Sequence, residues 1–221
     1  MGGGGFFTNE TALDDYVLTL TGKITPRLCL LATASHDSRR FLAPFYRAFS
    51  GRARATHLGL FPPSVSDIGA LLLAQDVIYV GGGNVGVLLR TWRTYGLEAP
   101  LRAAWEAGVV LCGPSAGGMC WFQGGISAAA GPAPSPMHQG LGMLDGSFCP
   151  HYEEPHRRSA YHRALTEGLP AGFGVESGAA LHFIGDRVAA AVTSKPDARA
   201  YEVRVVDGAI EEAALDTRYL G

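Results

Sequence analysis

Apolar positions along this chain come in short runs separated by amphipathic stretches, the alternation produced when helices wrap a parallel sheet in βαβ units. Leu13, Val17 and Leu20 recur at helical spacing within 11–23, and Asp14 and Asp15 suit the first turn of a helix there. PRLCLLATAS (26–35) predicts a buried strand running into a polar turn. Residues 39–51 predict a helix interrupted near Pro44 and stopped by Gly51. A strand over 56–61 follows, then a helix over 64–75 capped by Ser66, then the strand DVIYVGGGN (76–84) ending in glycines. Helices over 85–96 and 99–108 lead to the strand VVLCG (109–113).

Beyond Gly125 the rhythm changes. Residues 126–142, rich in Pro, Gly, Ser and Ala, predict an irregular surface excursion. SFCPHYE (147–153) predicts a short strand and 159–168 a helix. The tail from Gly172 alternates over 180–185, 187–194, 200–208 and 210–215, as antiparallel strands closing one side would. The expected fold is α/β: a doubly wound, mostly parallel sheet flanked by helices, with an antiparallel C-terminal extension. No internal repeat or long linker divides the chain, so residues 1–221 are expected to form one domain.

Composition fits that picture: 47% of residues are hydrophobic and 17% charged, enough to build a core without staples. The net charge of −2 gives no basic stripe for nucleic acid. Cys29, Cys112, Cys120 and Cys149 lie far apart without a C-x-x-C pair, which predicts buried thiols rather than a zinc site. The opening MGGGGFFTNE lacks the basic and apolar regions of a signal peptide, and no apolar run would span a bilayer. The expectation is a cytoplasmic protein with no membrane, nucleic-acid, metal or cofactor partner.

The chemistry concentrates in two glycine-rich turns. GPSAG (113–117) follows a β-branched apolar run and precedes a segment able to start a helix. That is the setting in which a serine stands exposed on a strained strand-to-helix turn, here Ser115, with helix N–H groups available to an oxyanion. The spacing alone equally suits a loop that binds an anion or nothing. A second turn, VGGGN (80–84), ends another buried strand. In a doubly wound sheet both turns face one crevice, so the second could supply a further oxyanion donor. It lacks the G-x-x-x-x-G-K-[ST] signature of a phosphate cradle.

A serine nucleophile needs a base. His36, His57 and His182 lie in or beside apolar runs, where packing is their expected role. His138 falls in the irregular excursion, and His156 and His162 on or near a helix. His151, in CPHYEE, ends a short strand, where an α/β active site recruits such a residue.

YVGGGN, GPSAGG and CPHY, in that order and spacing, together resemble the peptidase E (aspartyl dipeptidase) family of serine peptidases, from about residue 10 to the C-terminus. The resemblance implies a flavodoxin-like fold of the class I glutamine amidotransferase type. It implies Ser115 as nucleophile, His151 as general base, and an oxyanion hole from Ala116 and the Gly82–Gly83 turn. It also implies a small peptide substrate, a cytoplasmic location and frequent homodimers.

In that family a glutamate in a PEG-type turn orients the histidine. The corresponding turn here, GVESGAALHF, aligns with Ser177 in that place and Glu176 one residue earlier, and either could take the role. Glu153 is a weaker candidate, because alternate strand residues share a face with His151 rather than meeting its ring edge. The family also holds the substrate's N-terminal aspartate with an arginine after the histidine, which Arg158 matches. The stretch 124–140 does not resemble its family counterpart, so Asp-X specificity is not implied. Two other readings remain: a catalytically weak homologue that binds a small molecule, and an amidotransferase-like enzyme. The latter would need a cysteine in the elbow, which Cys112 and Cys120 each miss.

Overall fold

The structure is a computed structural model that describes residues 1–8, 11–129, 131 and 133–221. Helix α1 (Ala12–Thr19) precedes strand β1 (Arg27–Leu31), α2 (Arg39–Phe49), β2 (Arg54–His57), α3 (Ile68–Leu73) and β3 (Val77–Val80). Next come α4 (Val85–Thr94), α5 (Glu98–Glu106), β4 (Val110–Cys112), the single turn α6 (Ala116–Met119), β5 (Phe122–Ser127) and β6 (Ser135–Met137). After β7 (Leu144–Pro150) and α7 (Pro155–Thr166) the chain is all strand: β8 (Gly172–Val175), β9 (Ala179–Ile184), β10 (Arg187–Thr193), β11 (Ala200–Val206), β12 (Ala209–Ala214) and β13 (Thr217–Tyr219).

The first sheet is wholly parallel, in the order β2-β1-β3-β4. Its alternating side chains enter two different cores. Leu28 and Leu30 of β1 and Val77 and Tyr79 of β3 meet Leu13 and Val17 of α1 and Phe45 and Phe49 of α2. Cys29, Leu31, Ile78 and Val80 meet Leu72, Leu88, Trp92 and Leu101 from α3, α4 and α5. Burial on both faces explains why these strands read as unbroken apolar runs.

The expected sheet is divided. A second sheet, β12-β11-β8-β7-β5-β6, holds the parallel trio β5, β7 and β8 at its centre and antiparallel strands at both flanks. A third, β13-β10-β9, pairs β10 antiparallel to β9 and parallel to β13. Helix α7 covers one face of the second sheet through Ala160, Tyr161, Ala164 and Leu165. Among the described residues no helix is long and apolar enough to cross a membrane.

Local expectations differ at four places. Helix α2 runs unbroken through Pro44, since its strongly amphipathic faces outweigh one lost hydrogen bond. Asp67, not Ser66, caps α3 by accepting from the Ala70 N–H at 2.8 Å. Strand β2 begins at Arg54, earlier than its apolar residues suggested. The predicted excursion contains the end of β5 and all of β6, because β5 pairs with β7 and in turn recruits β6, a segment whose own propensity is poor.

One buried group has a measurable consequence. Asp14 is fully buried, accepts from the Tyr79 hydroxyl at 3.0 Å, and has an Oδ2 without a partner among the described residues. Burial raises its pKa to about 7, against the Tyr79 hydrogen bond and the Arg52 charge. A raised carboxyl pKa means that the folded state holds a proton the unfolded state has lost, so stability falls as pH climbs from about 4 through 7. Asp14→Asn should therefore gain over wild type between pH 5 and pH 8, by on the order of 1–3 kcal/mol in urea unfolding. An equal difference at both pH values would contradict this titration.

Candidate active site

The turn after β4 holds Ser115 at φ 54° and ψ −117°, in a region side chains rarely enter. The reason lies in β3. A Cβ on Gly113 would come within 2.2 Å of the Val80 carbonyl oxygen, and one on Gly117 within 2.1 Å of the same atom. Bare glycine backbone on both sides lets the turn press against the end of β3, which leaves the intervening serine to absorb the strain. The Ser115 hydroxyl neither caps α6 nor makes another hydrogen bond among the described residues. Since α6 is only four residues long, any help to an anion comes from its first-turn N–H groups rather than from a helix-length dipole.

The second glycine turn meets this elbow. A Cβ on Gly82 would lie 3.4 Å from the Pro114 carbonyl oxygen and 3.7 Å from Ser115 Cβ. Gly81 N–H is spent on Leu31 O and Asn84 N–H on Ala34 O. The N–H groups of Gly82 and Gly83 have no backbone acceptor among the described residues, and neither has that of Ala116. Gly83, at φ 137°, also lies so close to Ala34 that a Cβ would sit 2.5 Å from its carbonyl oxygen. Three free donors thus border the serine.

Ser115 and Ala116 open into a cavity of about 260 Å³ lined also by Gly83, Asn84, Pro150 and Arg157. A larger cavity of about 490 Å³ lies elsewhere, walled mainly by apolar side chains such as Tyr16, Trp105, Trp121 and Phe183, and Ser115 is not among its lining. The smaller one is the better site on chemical grounds, because it combines a hydroxyl, free N–H donors and a guanidinium.

His151 follows Pro150 at φ 54°, on the first residue after β7. Its Nδ1 lies 2.9 Å from Ser177 Oγ. Burial holds the imidazole pKa below its usual value and the Arg157 cation adds to this, while Glu153 and Glu154 pull it upward. Ser177, not Glu176, is the residue that meets the ring. Glu176 turns the other way, accepting from the Arg199 N–H at 2.8 Å and, at 3.5 Å, from the Tyr201 hydroxyl. Neighbours on extended chain point to opposite sides, so the one-residue choice decides everything.

Behind Ser177 stands a carboxylate. Glu153 accepts from the Ser177 N–H at 2.9 Å. Burial raises its pKa, but hydrogen bonds from the Ser177 side chain and backbone outweigh this and hold it below the usual carboxylate range. Glu153 is thus held beside His151 by the Ser177 backbone N–H, and its charge raises the imidazole pKa. Strand alternation gave no hint of this, because β7 ends at Pro150 and residues 151–154 form a turn.

Arg158 is not brought to the cavity. Its guanidinium forms a two-point ion pair with Glu212 of β12 and lies over the rings of Tyr152 and Tyr201, 5.0 and 5.3 Å from their centroids. With Tyr152 and His162 also bound to Glu212, this cluster fastens α7 to the second sheet. The cation that lines the cavity is Arg157, braced by Glu154 at 2.8 Å. Successive residues on a helix point about 100° apart, so counting along the chain could not separate the two.

The thiols have no part in this site. Cys29, Cys120 and Cys149 are buried and Cys112 nearly so, all are unpaired, and burial pushes every one of their pKa values up. A thiol kept protonated is a poor nucleophile.

The family model for peptidase family S51 matches residues 1–191. The uncharacterized peptidase YgaJ of Bacillus subtilis (strain 168) is 45% identical over 226 residues, spanning 100% of this chain and 97% of that one. Among solved structures, a peptidase from an acI-B1 actinobacterium superposes with a TM-score of 0.69 at 18% identity, covering 98% of this chain and 92% of its own. A protein assigned to peptidase E from Listeria monocytogenes EGD-e gives a TM-score of 0.53 at 18% identity, covering 90% and 93%. At that identity the two structures speak for the fold alone.

Proposed function

Because this chain belongs to peptidase family S51 and is therefore a peptidase, we propose that it hydrolyses small peptides with Ser115 as nucleophile and His151 as general base. With the Nδ1 proton donated to Ser177 Oγ, the lone pair on Nε2 is free to accept the Ser115 hydroxyl proton as Oγ attacks the peptide carbonyl carbon. The N–H groups of Ala116 and of the Gly82–Gly83 turn hold the resulting oxyanion, each such donor being worth about 10²–10³ in rate. The imidazolium then protonates the leaving amine. Water, giving a proton to the same Nε2, cleaves the acyl ester and restores Ser115.

The observation that carries this reading is the contact between Nδ1 and Ser177 with Glu153 behind it. A serine in the orienting position, taken alone, favours a catalytically weak binding protein. A carboxylate held low in pKa one hydrogen bond further on removes that motive. The protonated state of the thiols weighs against an amidotransferase mechanism. Arg157 takes over the substrate-facing part expected of Arg158, as a cation for a carboxylate of the bound peptide.

A fluorophosphonate probe with intact-mass and peptide-map readout tests the proposal. One adduct, on Ser115, is expected. The labelling rate should fall on the acid side with a midpoint below pH 6.5, because burial and Arg157 favour the neutral imidazole. A folded protein that takes no label, or takes it elsewhere, would overturn the assignment.

A further inference from the structure

The first residues of the chain touch each part of this arrangement. The Met1 carbonyl accepts from the Ser115 N–H at 3.1 Å. Gly2 N–H donates to Ala179 O at 3.0 Å, Gly3 bridges Ser177 in parallel register, and Gly3 O accepts from Gly178 N–H at 3.1 Å. Phe6, 3% exposed, anchors the far end among Phe45, Phe49 and Tyr79, with ring centroids 5.2–5.9 Å away. An extended strap of four glycines thus joins the Ser115 elbow to the turn that carries Ser177.

Gly3 packs against the imidazole. A Cβ there would sit 2.7 Å from His151 Cε1, 2.9 Å from Nδ1 and 2.8 Å from Ser177 Oγ. All three are side-chain atoms, and Gly3 has no positive φ. An alanine at Gly3 therefore suits the backbone and displaces only the ring and the hydroxyl. Its neighbours differ. A Cβ on Gly2 would strike the backbone oxygens of Val175 and Glu176 at 2.2 and 2.4 Å. Gly4 has φ 100° but open space, with nothing nearer its Cβ than 3.7 Å.

We propose that Gly3 is a positioning residue of the catalytic site, whose missing side chain sets the placement of His151 against Ser177. This rests on the roles given to Ser115 and His151 above. A backbone surface wedged against the ring at Cε1 and Nδ1 removes a direction in which the imidazole could move away from its partner. Displacements near an ångström can cost about 10²-fold in rate while leaving binding intact.

The test compares Gly3→Ala with Gly4→Ala by fluorophosphonate labelling of Ser115 at saturating probe. Gly3→Ala should keep the wild-type melting temperature and probe affinity, lose about 10–100-fold in the limiting labelling rate, and lose the downfield proton resonance of the His151 Nδ1–H. Gly4→Ala, strained in its backbone, should melt lower yet label at the wild-type limiting rate when folded. Wild-type labelling by Gly3→Ala, or equal rate loss in both variants, overturns the proposal. Ser115→Ala run alongside separates the two ideas: if it still takes the label, the nucleophile assignment itself fails, whatever Gly3 does.

Discussion

Replacing Ser115 with alanine is expected to lower peptide hydrolysis by about 10⁴-fold or more and to abolish fluorophosphonate labelling. The fold should barely notice. The hydroxyl makes no hydrogen bond among the described residues, and the strained φ of 54° is imposed by Gly113 and Gly117 against Val80 whatever occupies the position. Melting temperature should therefore stay within about 2 °C of wild type, since only a few small contacts are lost. Ser115→Gly, equally dead, should melt somewhat higher, because glycine relieves backbone strain of about 1–3 kcal/mol. Hydrolysis by a folded alanine variant above a few per cent of wild type would require another nucleophile, and the buried thiols are poor replacements.

The second large effect concerns the residues behind the base. Ser177→Ala removes the acceptor of the His151 Nδ1–H and keeps the backbone N–H that holds Glu153. A loss of about 10–100-fold in kcat with little change in KM is expected. That is less than the ~10⁴ seen when a directly bonded carboxylate is neutralised, because the charge here acts from one hydrogen bond further away and Coulomb attraction weakens with distance. Glu153→Gln should cost about tenfold by the same reasoning. It should also move the acid limb of the rate profile to lower pH, since Glu153 is one of the charges that raise the imidazole pKa. Because the two residues act in series, the double variant should lose far less than the product of the single losses. Both variants running within twofold of wild type would sink the relay.

The α/β character and the parallel core were legible because both faces of β1 and β3 are buried, so Leu28–Leu31 and Val77–Val80 read as continuous apolar runs whatever their neighbours do. Ser115 and the Gly82–Gly83 turn were legible for a related reason. Close backbone approach admits only glycine, so the packing constraint is written into residue type. The expected place of His151 at a strand's end was legible too, since β7 ends at Pro150.

What stayed hidden depends on which way a side chain faces. Ser177 and Glu176 differ by one residue on extended chain, Arg157 and Arg158 by one residue on a helix, and in each pair only one side chain turns to the site. Ser177 meets Glu153 across 24 positions of chain and Gly3 across 174. No local pattern encodes such a meeting, because the partners are chosen by sheet order and by the path of the strap. Apolar periodicity and glycine placement are local consequences of burial and close approach, so residue order alone determined the α/β class and marked the tight turn at Ser115. The Glu153 carboxylate at Ser177, the Arg157 cation in the cavity and the Gly3 backbone against His151 depend on how distant segments pack, and only tertiary structure decided them.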